Sequence, residues 1–307
     1  MAMKFPVNWG SRRWHPAGPG LKRSTQIIGV LLLGGSLLAC SAVKLAYNQA
    51  AELAYWQLNS YFEFDDTQKP LVREELARLH QWHRQTQLPA YVETLEKWTA
   101  WLPAEIDEAR ACGIFEEVKT RLQAISDRAV PAMGSVVGTL GPEQLDALKR
   151  KFSKLNAEYR DDFLAGSPDD LINRRLKKAV SRAEMLYGTL DDKQLAVLRS
   201  RITQSVFDAR LSLAEYQRRQ RDALQSLGPL IAGRATSEQA RPLMQAYVER
   251  AVNSPDPAYR NYQERLTRDS CKTFAALHNS TTAAQRAKAV QTLQGYAQDF
   301  GILVARR

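Results

Sequence analysis

The chain of 307 residues lacks an apolar run long enough to cross a membrane. Its longest apolar stretch, residues 27–38, covers twelve positions and is interrupted by glycine and serine. A bilayer-spanning helix needs about twenty residues. A transmembrane helix is therefore a weaker interpretation of this stretch than a cleaved export signal.

Motifs of the common enzyme classes are also missing. Residues 134–138 lack the spacing of a hydrolase nucleophile elbow, and no glycine-rich phosphate loop follows a strand. The only histidine cluster is His80 and His83, whose spacing puts both imidazoles on one helix face, whereas a zinc site needs three or four convergent ligands. We interpret His83 as a hydrogen-bonded inner-face histidine, with ligand or metal binding as the alternative. No metal is predicted.

What is present begins with a secretory signal pattern. Basic Lys22 and Arg23 precede the apolar stretch, which closes with a small residue, Ala39, before Cys40. This ending resembles the lipobox of bacterial lipoproteins. The resemblance implies cleavage between Ala39 and Cys40, a diacylglyceryl group on the Cys40 thiol and an acyl group on the new amino terminus. Cys40 is then a lipid anchor, and no other cofactor is expected.

Ser41 follows the cysteine, and lipoproteins without an aspartate at this position resemble outer-membrane cargo. We therefore expect a location on the periplasmic face of the outer membrane. Residues 1–20 fit a signal peptide badly, and we predict that translation starts at Leu21. The expected organisation is an extension and signal over 1–39, a lipidated cysteine with a tether-proximal helix over 40–64, and a helical domain over 65–307.

Net charge argues against a nucleic-acid partner. The formal charge of the whole chain is +10, but the first 39 residues carry five basic side chains and no acidic ones, so the processed chain carries +5. This mild excess suits lipid phosphates or acidic glycans better than nucleic acid. Two basic runs, 174–178 and 218–221, either engage lipid or lipopolysaccharide phosphates or form solvated helix faces.

Apolar periodicity is helical nearly throughout, and no stretch alternates as a strand does. The sequence predicts an all-α fold of about nine to eleven helices, arranged either as a multi-helix bundle or as a stack of helical hairpins. In residues 41–64, aromatic side chains either sit at the lipid headgroup level or form the first core helix.

A capping pattern recurs along the chain. Residues 138–148 and 188–198 share the sequence Gly-Thr-Leu followed by a glutamine, and looser copies surround Gln68, Gln239 and Gln285. A cap residue followed three positions later by glutamine is a capping box, which begins a helix. The paired aspartates at 65–66, 169–170 and 191–192 are accordingly interpreted as helix caps, not catalytic pairs.

These capping units resemble the Leu-Thr-x-x-Gln motifs of the Spy-like periplasmic stress chaperones, over five short stretches. A longer part, from Cys40 through roughly Leu95 and beyond, resembles an uncharacterised all-helical lipoprotein family of Gram-negative envelopes. The second resemblance implies a location and a helical fold and no known activity.

Cys112 and Cys271 remain in the processed chain, in a compartment where disulfides persist. They either form a disulfide or stay as two buried thiols. The leading functional hypothesis is a lipid-anchored binding scaffold for envelope maintenance, whose partners are the outer-membrane bilayer and an envelope protein, lipopolysaccharide or peptidoglycan. One alternative is an envelope hydrolase with a cleft lined by Glu74, Glu75, His80 or His83; the other is a Spy-like chaperone.

Overall fold

The computed structural model describes residues 43–305, and in this part of the chain all the regular secondary structure is helical. Residues 43–48 are helical and lead into eleven α-helices. No strand occurs in this range, so the predictions of an all-α fold and of nine to eleven helices are confirmed. The helices are α1 Ala50–Phe62, α2 Gln68–Trp82, α3 Leu88–Trp101, α4 Glu108–Val137, α5 Pro142–Phe163, α6 Pro168–Tyr187, α7 Asp192–Thr203, α8 Ala209–Ala232, α9 Ser237–Val252, α10 Pro257–Ser280 and α11 Ala283–Ala305.

The predictions that concern the first 42 residues lie outside the described residues. They are the start at Leu21, the cleavage between Ala39 and Cys40, and the lipidation of Cys40. None of the helices in the described range combines the length and the apolar character that a membrane crossing requires.

The recurring glutamines begin helices as the sequence predicts. At α7, the Asp191 carboxylate accepts from the Gln194 amide N–H at 2.9 Å, and the Gln194 side-chain oxygen accepts from the Asp191 N–H at 3.0 Å. The same reciprocal pair starts α9 and α11. Before α5 only the glutamine half exists, because Gly141 has no side-chain acceptor. Asp65 and Asp191 are confirmed as caps, and Asp170 of the middle pair completes the capping box that Ser167 begins before α6.

Helix packing is that of a bundle and not of a stack of sequential hairpins. In a stack each repeat contacts only its neighbours along the chain. Here α3 packs along α11, and α4 packs along α9 and α10. These partners are far apart in sequence, so the bundle alternative is the one that the structure bears out.

Two buried apolar clusters form the core, and α4 passes through both. Its first half contributes Ala111 to a cluster shared with α6, α7, α10 and α11. Its second half contributes Val130 and Val137 to a cluster shared with α1, α2, α5, α8 and α9. With 30 residues, α4 is about 45 Å long, which is long enough to reach both.

Cys112 of α4 is bonded to Cys271 of α10, with the two Cα atoms 5.1 Å apart. The sequence left a disulfide and two buried thiols as alternatives, and the structure has the disulfide. Cys271 is fully buried in the cluster around the first half of α4. The bond joins positions 159 residues apart, and it fixes the long central helix to a late one.

Candidate functional site around His83

His83 lies in an irregular turn between α2 and α3. Residues His83–Gln87 form a π-helix, a rare conformation that occurs frequently at functional sites. Pro89 follows in the first turn of α3. A proline ring has no N–H to donate to the carbonyl four residues earlier and crowds that carbonyl, so a widened turn just before it relieves the conflict.

Both ring nitrogens of His83 have tyrosine partners. The Tyr47 hydroxyl lies 2.9 Å from Nδ1, and the Tyr91 hydroxyl lies 3.2 Å from Nε2. A neutral imidazole has one donor and one acceptor nitrogen, so one phenol accepts from the ring and the other donates to it. We call Tyr47, His80, His83 and Tyr91 the His–Tyr cluster.

Three parts of the chain build this cluster. Tyr47 comes from the helical residues before α1, the histidines from α2 and the π-helix, and Tyr91 from α3. The Tyr47 ring also packs 4.7 Å from the His80 ring, centroid to centroid. From the far end of the chain, Phe300 of α11 lies 6.2 Å from the Tyr91 ring.

Burial keeps the cluster uncharged. It lowers the pKa of His83, and the neighbouring His80 lowers that pKa further. Burial likewise lowers the pKa of His80, with a smaller contribution in the same direction from Arg84. For Tyr47, burial outweighs the opposing effect of Arg84 and raises the pKa to about 12. The chemistry available at neutral pH is therefore hydrogen bonding by neutral rings.

Unmet hydrogen-bonding capacity surrounds the cluster. Among the described residues, His80 Nε2, Gln87 Oε1 and Asp299 Oδ2 are buried and have no hydrogen-bond partner. The other Asp299 oxygen pairs with Lys44 at 3.1 Å, one helical turn from Tyr47. Buried polar atoms are normally paired, so these three are exceptions, as are single atoms of Asn156, Arg201 and Gln220 elsewhere in the described residues.

The hydrolase alternative is not supported by the positions of its carboxylates. Glu74 and Glu75 both bond to Arg78 on the surface of α2, the latter at 2.8 Å, and neither bonds to a histidine. Across residues 43–305, no three side chains of histidine, cysteine, aspartate or glutamate come together as a set that would hold a metal ion.

The basic runs are largely engaged within the protein. Arg174 donates to the backbone carbonyls of Asp161 and Ala165, and Arg175 donates to that of Ile202. In the second run, Arg218 donates to the Glu215 carboxylate at 2.8 Å. These side chains stabilise helix contacts, while Lys177 and Arg221 of the two runs are exposed.

The sequence singles out the two histidines but does not indicate that Tyr47 and Tyr91, which lie on other elements, are the hydrogen-bond partners of His83. Nor does it single out Asp299, which pairs with Lys44. One signal was available: Asp299 is a carboxylate beside Phe300 in the apolar stripe of α11, which is an unusual place for a charge. A buried aspartate there implies a basic partner from elsewhere in the chain.

The depressed histidine pKa values predict a loss of stability in acid. The unfolded chain takes up protons near pH 6.5, and the folded cluster takes them up only at lower pH, so folding is weakened as the pH falls below about 6.5. Urea unfolding at pH 7 and pH 5 measures this. We expect the His83→Gln variant to lose less stability over that interval than the wild type.

His278 provides the internal reference for this experiment. Burial lowers its pKa too, and it remains in both proteins, so the variant retains part of the acid dependence. If the variant and the wild type lost the same stability between pH 7 and pH 5, His83 would titrate alike in the folded and the unfolded chain.

Comparison with known proteins gives a family and no activity. No curated protein matches the sequence. No solved structure matches the fold. A family described as a family of unknown function, DUF6279, matches residues 60–238. The match covers more than half of the chain and includes His80 and His83. The chain belongs to this family.

Proposed function

We propose that the protein is a lipid-anchored lipoprotein on the periplasmic face of the outer membrane and acts there as a binding scaffold for an envelope protein. The single observation that carries the scaffold role is α4. This 30-residue helix runs through both core clusters, is bonded covalently to α10, and leaves a row of apolar side chains on the surface.

The disulfide supports the extracytoplasmic part of the proposal. Disulfides persist in the bacterial periplasm and are rare in reducing compartments. The Cys112–Cys271 bond lies inside a core cluster and joins two long helices, which is typical of a structural bond. The anchor itself rests on the resemblance of the residues up to Cys40 to a lipobox.

The row on α4 consists of Phe115, Val118 and Leu122, all of them exposed. Their spacing of three and four residues puts them on one side of the helix. Single exposed apolar residues are ordinary, whereas a contiguous row marks an interaction surface. Because α4 is packed at both ends, the row is presented on a rigid support and binding orders little of the protein.

In-cell photo-crosslinking tests the scaffold role. With p-benzoylphenylalanine at position 115, 118 or 122, we expect one dominant envelope protein in the covalent product. The matched control is position 120, where Thr120 is exposed on the same helix but lies on its opposite side. Capture of the same protein equally from position 120, or of nothing from the row, would contradict the proposal.

The same experiment separates the alternatives. A broad set of unfolded clients captured from the row would favour a Spy-like chaperone, and suppression of aggregation by the purified protein would confirm it. The anchor is tested by metabolic labelling with palmitate. Label on the wild type and none on the Cys40→Ser variant is the expected result, and unlabelled wild type would contradict lipidation.

A further inference from the structure

Four large apolar side chains are exposed in the short stretch between residue 43 and the end of α1, and three of them, Leu45, Leu53 and Trp56, form a row; the fourth is Leu58. Leu45 is 64% exposed and Trp56 is 63% exposed, and Leu53 lies between them. Backbone hydrogen bonds from Gln49 to Leu45 and from Leu53 to Gln49 make the helix continuous here. At 100° per residue, the three side chains fall within about 80° around the helix axis.

The other side of this helix is committed to the protein. Tyr55 is buried in a core cluster, and Tyr47 bonds to His83. The core-helix interpretation of the aromatic residues in this stretch thus applies to some of them and not to others. Tyr55 belongs to the first core helix, whereas Trp56 points away from the core. The exposed row is therefore a fixed feature of the helix surface.

Basic groups border the exposed row. Arg73 of α2 binds the Glu52 carboxylate at 2.9 Å and neutralises the one acidic side chain beside Trp56. Glu52 also accepts the indole N–H of Trp56 at 2.8 Å. Arg84 reaches the Asn48 amide, which is not a carboxylate and leaves its charge uncompensated at that contact. An apolar row with tryptophan, beside an arginine that has no acidic partner at this contact, suits a lipid surface with anionic headgroups.

We infer that Leu45, Leu53 and Trp56 lie in the headgroup region of the bilayer, with the helix parallel to the membrane plane. The inference rests on the proposed function for the bilayer concerned. Cys40 precedes the first described residue by three positions, which span at most about 11 Å. A lipid chain on Cys40 therefore holds the start of this helix against the membrane, and the row extends that contact about 16 Å further to Trp56.

This contact gives the anchored protein a defined orientation. A lipid chain alone leaves the protein free to tilt about its tether. Burial of three side chains along one helix adds a second attachment line and fixes which face of the bundle points to the periplasm. The His–Tyr cluster, which packs on the inner side of the same helix, then lies near the membrane.

Lipid crosslinking tests the orientation. The protein, processed in the cell and purified, is reconstituted in vesicles of phosphatidylethanolamine and phosphatidylglycerol with p-benzoylphenylalanine at position 56. We expect a lipid adduct on the peptide that contains this position, at a yield about tenfold above that at position 185. Met185 of α6 is the matched control, since it is apolar and 68% exposed.

A double variant tests the rest of the row. In the chain that carries both Leu45→Ser and Leu53→Ser, we expect the adduct yield at position 56 to fall about tenfold, because the apolar area that holds the helix in the interface is lost. Unchanged helicity and an intact disulfide establish that the variant is folded. Equal yields at positions 56 and 185, or a covalent product with a second copy of the chain, would overturn the inference.

Lipidation of Cys40 is measured separately in the same sample. The mass of the amino-terminal peptide shows whether Cys40 carries lipid. An adduct at position 56 on a chain without that lipid would leave the surface contact standing and refute the anchor. Lipid on Cys40 with no adduct at position 56 would confirm the anchor and refute the surface contact.

Discussion

Replacing both Cys112 and Cys271 by alanine is expected to lower the free energy of unfolding by about 5 kcal/mol. The disulfide closes a loop between positions 159 residues apart, so the unfolded chain gains much conformational freedom when it is removed. It also ties α4, the helix shared by both core clusters, to α10. The measurement is urea unfolding of the oxidised wild type and the variant, followed by circular dichroism.

Reduced wild-type protein is the control for the cavity that alanine leaves at the fully buried Cys271. It retains both sulfur atoms and lacks only the bond. We expect the reduced wild type to lose most of what the double variant loses. A loss below about 1 kcal/mol on reduction would mean that the unfolded chain is already compact around these cysteines, and the entropic argument would fail.

The second large effect is expected for Gln194→Ala, at about 3 kcal/mol. Gln194 is fully buried, and its amide does more than complete the cap of α7. It donates to the Ser280 carbonyl at 3.2 Å and pairs with the Gln285 amide at 2.6 Å. Alanine removes these part-buried hydrogen bonds together with the cap and leaves a cavity at a fully buried position, so the loss exceeds that of one average hydrogen bond.

Gln239→Ala is the matched control within the same chain. Gln239 completes the capping box of α9 and is exposed. Its two capping hydrogen bonds are both with Thr236. Its loss is expected to cost about 1 kcal/mol. Equal losses for the two variants in urea unfolding would show that the contacts of Gln194 beyond its own cap contribute nothing.

A double-mutant cycle extends the comparison. Gln285 caps α11, donates to the Thr189 carbonyl at 2.9 Å and exchanges hydrogen bonds with the Gln194 amide, so Gln194 and Gln285 share one network. We expect the losses of Gln194→Ala and Gln285→Ala to be non-additive, with the double variant less destabilised than the sum by about 1 kcal/mol. Strict additivity would contradict a shared network.

The capping glutamines show how far local pattern reaches. Their spacing predicted where helices begin, because a capping box joins residues only three positions apart. The same pattern suggested repeated hairpins and a chaperone-like motif. It did not indicate that Gln194 and Gln285, 91 residues apart, bond to each other. Their buried contacts give these glutamines a structural role that requires no client protein.

The His–Tyr cluster illustrates the same limit at the candidate site. Residues three apart on a helix share a face, so the sequence placed His80 and His83 together and predicted that His83 was hydrogen-bonded. The partners Tyr47 and Tyr91 lie 36 and 8 residues away, on other elements. No spacing rule covers them, and the π-helix that aims His83 at both depends on Pro89 and on packing.

The sequence by itself determined the all-helical class, the number of helices and most helix starts, because apolar period and capping act over one or two turns. It left the pairing of Cys112 with Cys271 open, together with the choice between bundle and stack. Only the tertiary structure decided those, along with the pairing of α3 with α11 and the exposure of Trp56 beside buried Tyr55. Each depends on which distant surfaces bury the most apolar area together, and that sum involves the whole chain.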